Sequence, residues 1–325
     1  MVHLGIYVGG MGLRFLSPRL LSPSDDQRDA PAGHHRRLVA VAWVAMLLMS
    51  RLPQIVFQEL LAVETSFVWT SIGVAAALTA LTYVWPALRP LRGYCFVTAV
   101  VVAATGLLGG AIQGSSPWAA WFGEARGWPV SFLGTRLPLL IESLIVLAVL
   151  IGMGVRRRED VFLAVGDLRA PASRRRLPGI GSSWLAIGSL IALALAALAF
   201  AAASVQAGAA LPDLATVLPW LPAVVLLAII NAFGEEFLYR AAPLSQLHSV
   251  VGTNHAVGLT AVWFGLGHFY GGVPSGVPGA LMTGLIALLF GKAMLATRGI
   301  ALPTFMHMLG DVVIYVFLAR AAMGA

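Results

Sequence analysis

Long, uninterrupted apolar runs dominate the chain, separated by short polar or arginine-bearing stretches. Nine of these runs approach the ~20 residues needed to cross a bilayer as a helix. They lie near 38–57, 67–86, 94–112, 132–154, 184–206, 217–242, 255–270, 279–296 and 300–319. None alternates apolar and polar residues, which excludes a membrane β-barrel. The expected fold is an all-α polytopic transmembrane helical bundle of about eight or nine spans. Pro53 should kink the first span and Pro243 should end or bend the sixth.

Four segments follow from this pattern: 1–37, 38–154, 155–183 and 184–325. The first is rich in Ser, Pro, Asp, Arg and His and reads as a disordered cytoplasmic segment. Its apolar start, Leu4 to Leu16, lacks a long core followed by an Ala-x-Ala-like site, which speaks against a cleaved signal peptide. Segment 38–154 holds the N-terminal spans and is poor in polar span residues. Segment 155–183 is an Arg-rich connection whose apolar residues between acids predict an interfacial helix or hairpin. Segment 184–325 holds the candidate chemistry. No internal repeat is evident, which counts against a transporter built from two related halves.

Composition agrees with a membrane setting. The chain is 59% hydrophobic and 11% charged, with a mean hydropathy of +0.86, against about a quarter charged in a soluble domain. The net charge of +7 comes from arginines, with Lys292 the only lysine. These arginines border the spans, which fits cytoplasmic loops and contact with anionic lipid and not a nucleic-acid site. With Lys292 they fall on one side of the arrangement, the cytoplasm by the positive-inside bias, and Arg320 near the C-terminus is the exception. Nine spans would place the C-terminus outside, and eight would reverse it. Arg-over-Lys and Ala-rich usage points to a high-GC bacterial genome, and so to a bacterial cytoplasmic membrane. The single cysteine, Cys95, has no partner for a disulfide or a thiolate metal site and reads as a packing residue.

Against this apolar background, ionisable residues inside spans are costly and default to a functional reading. Three motifs stand out: Glu235-Glu236-xxx-Arg240, Phe264-xxx-His268 and His307-xxx-Asp311. On a helix, Glu236 and Arg240 share a face and can pair, while Glu235 points about 100° away toward another partner. A carboxylate in a cavity of low dielectric can serve as a general base. The bland alternative is a Glu-Glu-xxx-Arg solvated at a helix end. His268 lies some thirteen residues into its span, or ~20 Å along the axis. Gly265, Gly267, Gly271 and Gly272 around it would admit another helix or a substrate backbone. Its bland alternative is a hydrogen-bonding packing residue. His307 and Asp311 share a face of the last span, where the carboxylate could orient the imidazole, or the pair could simply join helices. Glu142 is the main polar outlier, and Arg136 six residues earlier favours an interfacial pair.

The ordered set of three motifs, over roughly residues 184–325, resembles the CPBP family. That family groups CAAX prenyl endopeptidases of the Ras-converting type with bacteriocin-processing and immunity proteins (the Abi family). The resemblance implies an intramembrane endopeptidase whose site lies in a cavity between helices, open to the cytoplasm. By the same resemblance Glu235 and His268 would activate water, and Glu236 and Arg240 would support the site. His307 and Asp311 would stabilise the oxyanion of the tetrahedral intermediate. Asp311 departs from the Asn of eukaryotic CAAX members, because an ionised Asp repels an oxyanion instead of donating to it. It would then act protonated, or through His307.

Two histidines with carboxylates are also a metal-ligand set, and zinc often takes His₂Glu plus water. The helical His-Glu-xx-His motif is absent, so no cofactor is favoured, but a divalent metal such as zinc would use the same four side chains. The expected partners are membrane lipid and a peptide or membrane-protein substrate, with no nucleic acid. The competing functions are a non-catalytic bacteriocin-immunity or regulatory membrane protein and, more weakly, a proton-coupled transporter.

Overall fold

The computed structural model describes residues 32–63, 67–172, 183–207, 214–271 and 273–323. Its longer helices are α1 Ala32–Met49, α2 Val68–Val84, α3 Arg92–Ala103, α4 Trp128–Gly152, α5 Trp184–Gln206, α6 Leu221–Glu236, α7 Ala242–Val251, α8 Thr253–Gly267, α9 Gly276–Thr297 and α10 Ala301–Met323. No β-strand occurs among the described residues, so the all-α expectation holds. The predicted disordered segment lies largely outside them, but residues 32–37 are already helical, as the first turns of α1.

The span count is lower than nine. Six helical stretches are long and apolar enough to cross a membrane, and a bent pair brings the number to seven. That pair, Gly33–Met49 and Leu52–Leu60, breaks by 55° immediately before Pro53, where the ring and missing N–H interrupt the helix. The expected second span is a 17-residue helix, α2. The expected seventh, α8, has only 15 residues, ~22 Å of axis against a ~30 Å hydrocarbon core. Its first turns carry Thr253, Asn254 and His255, and most of its later residues are buried. Apolar content there marks an inner helix, not a lipid-facing one.

Pro243 does not end the sixth span. The helical stretch runs from Ala215 to Val251, with a π-helical turn, Phe237–Ala241, between α6 and α7. The wider turn sits just before Pro243 and absorbs its lost hydrogen bond, a common device at functional sites. In α4, Pro138 similarly frees the carbonyl of Gly134, which accepts from Trp118 Nε1 at 3.0 Å.

Helix α6 packs against α4 and α10, while α10 also packs on α5, and α8 on α9. One apolar core joins Leu38 and Met46 of α1, Leu91 before α3, Val146 of α4, Leu244 of α7 and Leu259 of α8. Cys95 is buried in it, as a packing residue should be. The outward face of α5 exposes Leu190, Leu193 and Phe200, as a lipid-facing helix does.

The connection after α4 is not an interfacial helix over its described part. After a short 3-10 turn, Arg158–Val161, it inserts Val161 and Phe162 into the core. It then runs along the α9–α10 corner: Asp167 N–H donates to Thr297 O at 2.7 Å, and Ile300 N–H to Phe162 O at 2.9 Å. Gly166, at φ +78°, faces Thr297 O where a Cβ would lie 2.5 Å away, so only glycine fits this crossing. Residues 173–182, including Arg174–Arg176, lie outside the described residues.

Close approach also governs α8 on α9. A Cβ on Gly265 would lie 2.5 Å from Ala280 O and 3.0 Å from Gly284 Cα, both backbone atoms that cannot rotate away. Gly265→Ala is therefore expected to lower stability by about 1–3 kcal/mol. Gly267→Ala, facing open space, should be near neutral. Thermal unfolding in detergent compares the two, and equal midpoints would contradict the close-packing account.

Candidate functional site

The seven motif residues meet where α6, α8 and α10 converge. Glu236 and Arg240 are completely buried and form a direct ion pair across the π-turn. The guanidinium also lies over the rings of Phe264 and Phe290, at 5.1 and 5.4 Å from their centroids. Such a pair offsets its desolvation better the more of its remaining valences are filled, and on the Arg240 side Nε and Nη2 have no hydrogen-bond partner among the described residues. The second oxygen of Glu236 is filled from α10, since His307 Nδ1–H donates to Oε1 at 3.0 Å. Glu236, not Asp311, thus holds the His307 ring in place.

Glu235 turns away from that pair, as the helical period requires, and enters a cavity. Its Oε2 is buried and has no hydrogen-bond partner among the described residues. The Nε2 atoms of His268 and His307 face this oxygen at 3.9 and 3.6 Å. His268 sits at the C-cap of α8, not deep within a long span as the sequence predicted. Its Nδ1 lies 2.9 Å from Phe264 O. A carbonyl only accepts, so Nδ1 carries the proton and Nε2 presents a lone pair toward Glu235. The Phe264-xxx-His268 spacing is therefore a backbone clamp on the imidazole.

Asp311 Oδ1 approaches His307 Nε2 at 3.7 Å, while Oδ2 accepts from Asn231 Nδ2 at 2.9 Å. Asn231 Oδ1 in turn accepts from Arg136 Nη1 at 3.1 Å. Arg136 stacks on Phe132 and Tyr315. The predicted Arg136–Glu142 pair does not form. Asn231 and Arg136 were missed as site residues. The available signals were that Asn231 precedes Glu235 by one helical turn, and that an arginine within an apolar span needs a partner.

Two cavities share the wall made by Arg136, Glu235, Phe264, His268 and Gly271. The smaller, about 210 Å³, is lined mainly by apolar residues such as Leu195, Leu198, Met282 and Ile286 of α5 and α9. The larger, about 650 Å³, is lined by polar groups of the N-terminal half, including Gln54, Gln58, Thr105 and Glu142. Gly267 and Gly271 border this chamber and face open space, whereas Gly265 packs against α9, and Gly272 lies outside the described residues.

Among the described residues, no group of three or more His, Cys, Asp or Glu side chains is arranged to hold a metal ion. The donors instead pair off, with His307 committed to Glu236 and Asp311 to Asn231. The geometry thus offers an unpartnered carboxylate facing two imidazoles, backed by two hydrogen-bonded chains that end in arginines. Such a group can hold and deprotonate a water.

The buried pair yields a stability test. Arg240→Leu should cost about 3–5 kcal/mol by stranding Glu236, read as a lower unfolding midpoint in detergent. Glu236→Leu/Arg240→Leu should cost clearly less than the sum of its single changes. Strict additivity would show that the two side chains do not act as a pair.

Comparison with known proteins matches residues 216–313 to the family model described as Type II CAAX prenyl endopeptidase Rce1-like. Neither the curated proteins nor the solved structures gave a match. The matched stretch contains all seven motif residues. The chain is therefore a multi-pass membrane protein whose residues 216–313 are similar to the Rce1-like type II CAAX prenyl endopeptidases.

Proposed function

We propose that the protein is an intramembrane endopeptidase that hydrolyses a peptide bond in a membrane-associated or lipidated segment. The observation that carries this reading is Glu235 Oε2, buried, without a partner and faced by two imidazoles at the junction of two cavities. At 3.9 Å the Glu235–His268 separation is too long for a direct hydrogen bond and suits a bridging water. The water donates one proton to the Glu235 carboxylate and the other to the lone pair on His268 Nε2. As its oxygen attacks the scissile carbonyl, Glu235 takes the proton and later delivers it to the departing amine.

His307 stabilises the oxyanion through Nε2–H. Because Nδ1–H is already given to Glu236, donation from both nitrogens requires the imidazolium form. Asp311 acts through His307 and does not touch the oxyanion, which removes the difficulty of an acid in place of Asn. Glu236 and Arg240 fix His307. The mechanism as proposed uses no cofactor, and a divalent metal such as zinc would draw on the same side chains. The setting is a bacterial cytoplasmic membrane, with the Arg-bearing loops on the cytoplasmic side and a peptide or membrane-protein tail as substrate.

Glu235→Gln and His268→Ala should each lower turnover by at least about 10²-fold while leaving the unfolding midpoint near that of wild type. The substrate can be found by comparing new protein N-termini in membranes of cells bearing wild type or Glu235→Gln, by mass spectrometry. Termini that do not depend on Glu235 would reject the protease reading in favour of a non-catalytic immunity or regulatory role. Cleavage lost on chelation and restored by zinc would reject the cofactor-free mechanism.

A further inference from the structure

Glu142 has no place in the chemistry above, yet it is 3% exposed and lies in the middle of a membrane-spanning helix. Six residues separate it from Arg136, which is ~9 Å along α4 and about two-thirds of a turn around it. The two side chains diverge accordingly. Arg136 reaches α6, while Glu142 Oε1 lies against Gly109, where a Cβ would come within 2.5 Å. The carboxylate thus occupies the space that a side chain at position 109 would fill. Its Oε2 has no hydrogen-bond partner among the described residues.

An isolated buried carboxylate is costly unless a cation or donor reaches it. The other charged groups on the wall of the polar chamber are Arg51, Arg136 and Glu235. Arg136 donates to Asn231, and Arg51 donates to Gln54 at 2.6 Å. Among the described residues neither forms an ion pair with Glu142. No cation on the chamber wall pairs with this carboxylate, so a basic group entering the chamber meets an acid with its pairing capacity unused. Its volume, about 650 Å³, falls within the ~300–1,000 Å³ typical of ligand sites. The same chamber reaches Glu235 and His268, so a peptide in it also passes the proposed water.

We propose that Glu142 is an anionic subsite of the polar chamber that binds the ammonium or guanidinium of a basic side chain in the substrate peptide. The subsite rests on the peptidase reading for the identity of its guest, and it makes Glu142 a specificity-determining residue.

The test uses the full chain in lipid nanodiscs, carrying Glu235→Gln so that binding is read without turnover. The probes are N-palmitoylated decapeptides with a single lysine at successive positions, each paired with its norleucine counterpart. At one or two adjacent positions lysine should bind about tenfold more tightly than norleucine. Adding Glu142→Gln should erase that preference and leave norleucine binding unchanged. Gly109→Ala, which pushes the carboxylate out of its seat, should weaken the preference and serves if Glu142→Gln fails to fold. Absence of a lysine preference at every position, or its survival in Glu142→Gln, would overturn the subsite. If the preference follows Glu142 but the wild-type protein cleaves none of the peptides, the subsite stands and the protease reading falls.

Discussion

One buried guanidinium organises this domain. Arg240 is enclosed completely, and a charge so placed is costly unless an opposite charge meets it. Glu236 supplies the opposite charge, Phe264 and Phe290 supply ring faces, and His307 takes up the oxygen that Arg240 leaves. These residues come from α6, α8, α9 and α10. The helices are thereby held in one register around a charge that does no chemistry itself. The π-turn that carries Arg240 also takes up the strain of Pro243.

The neighbouring glutamate gains its character from this arrangement. Since Arg240 and His307 are committed to Glu236, Glu235 remains in the cavity without a salt bridge of its own to a guanidinium. An acid fully paired with arginine would be too weak a base to take a proton from water. Consecutive positions on one helix thus separate structural neutralisation from chemistry, with ~100° of helical rotation as the partition. Glu235 thus stands between an apolar pocket and a polar chamber, which under the proposed function would receive the apolar and the peptide parts of a substrate separately.

Much of the site could be read from the chain because its spacings are local. Glu236 and Arg240, four apart, pair as the helical period demands, and His307 and Asp311 do lie on one face. What failed was long-range. No spacing could show that His307 would give its Nδ1–H to Glu236 of α6 instead of to Asp311, since the contact spans 71 positions. Arg136 looked like a partner for Glu142 because sequence proximity was the only available guide, whereas its bond to Asn231 crosses 95 positions. The span count was overestimated because apolar content does not distinguish a helix facing lipid from α8, which is apolar through burial in protein.

The ion pair also bears on how the domain is assembled. Glu236 and Arg240 belong to one continuous helical stretch, so their charges can cancel as soon as that stretch forms. His307 belongs to the last described helix and is made much later. A nascent chain can therefore deliver a net-neutral pair into the bilayer without waiting for α10. The proposed hydrolytic centre, by contrast, stays incomplete until α10 brings His307 to Glu235 and Glu236.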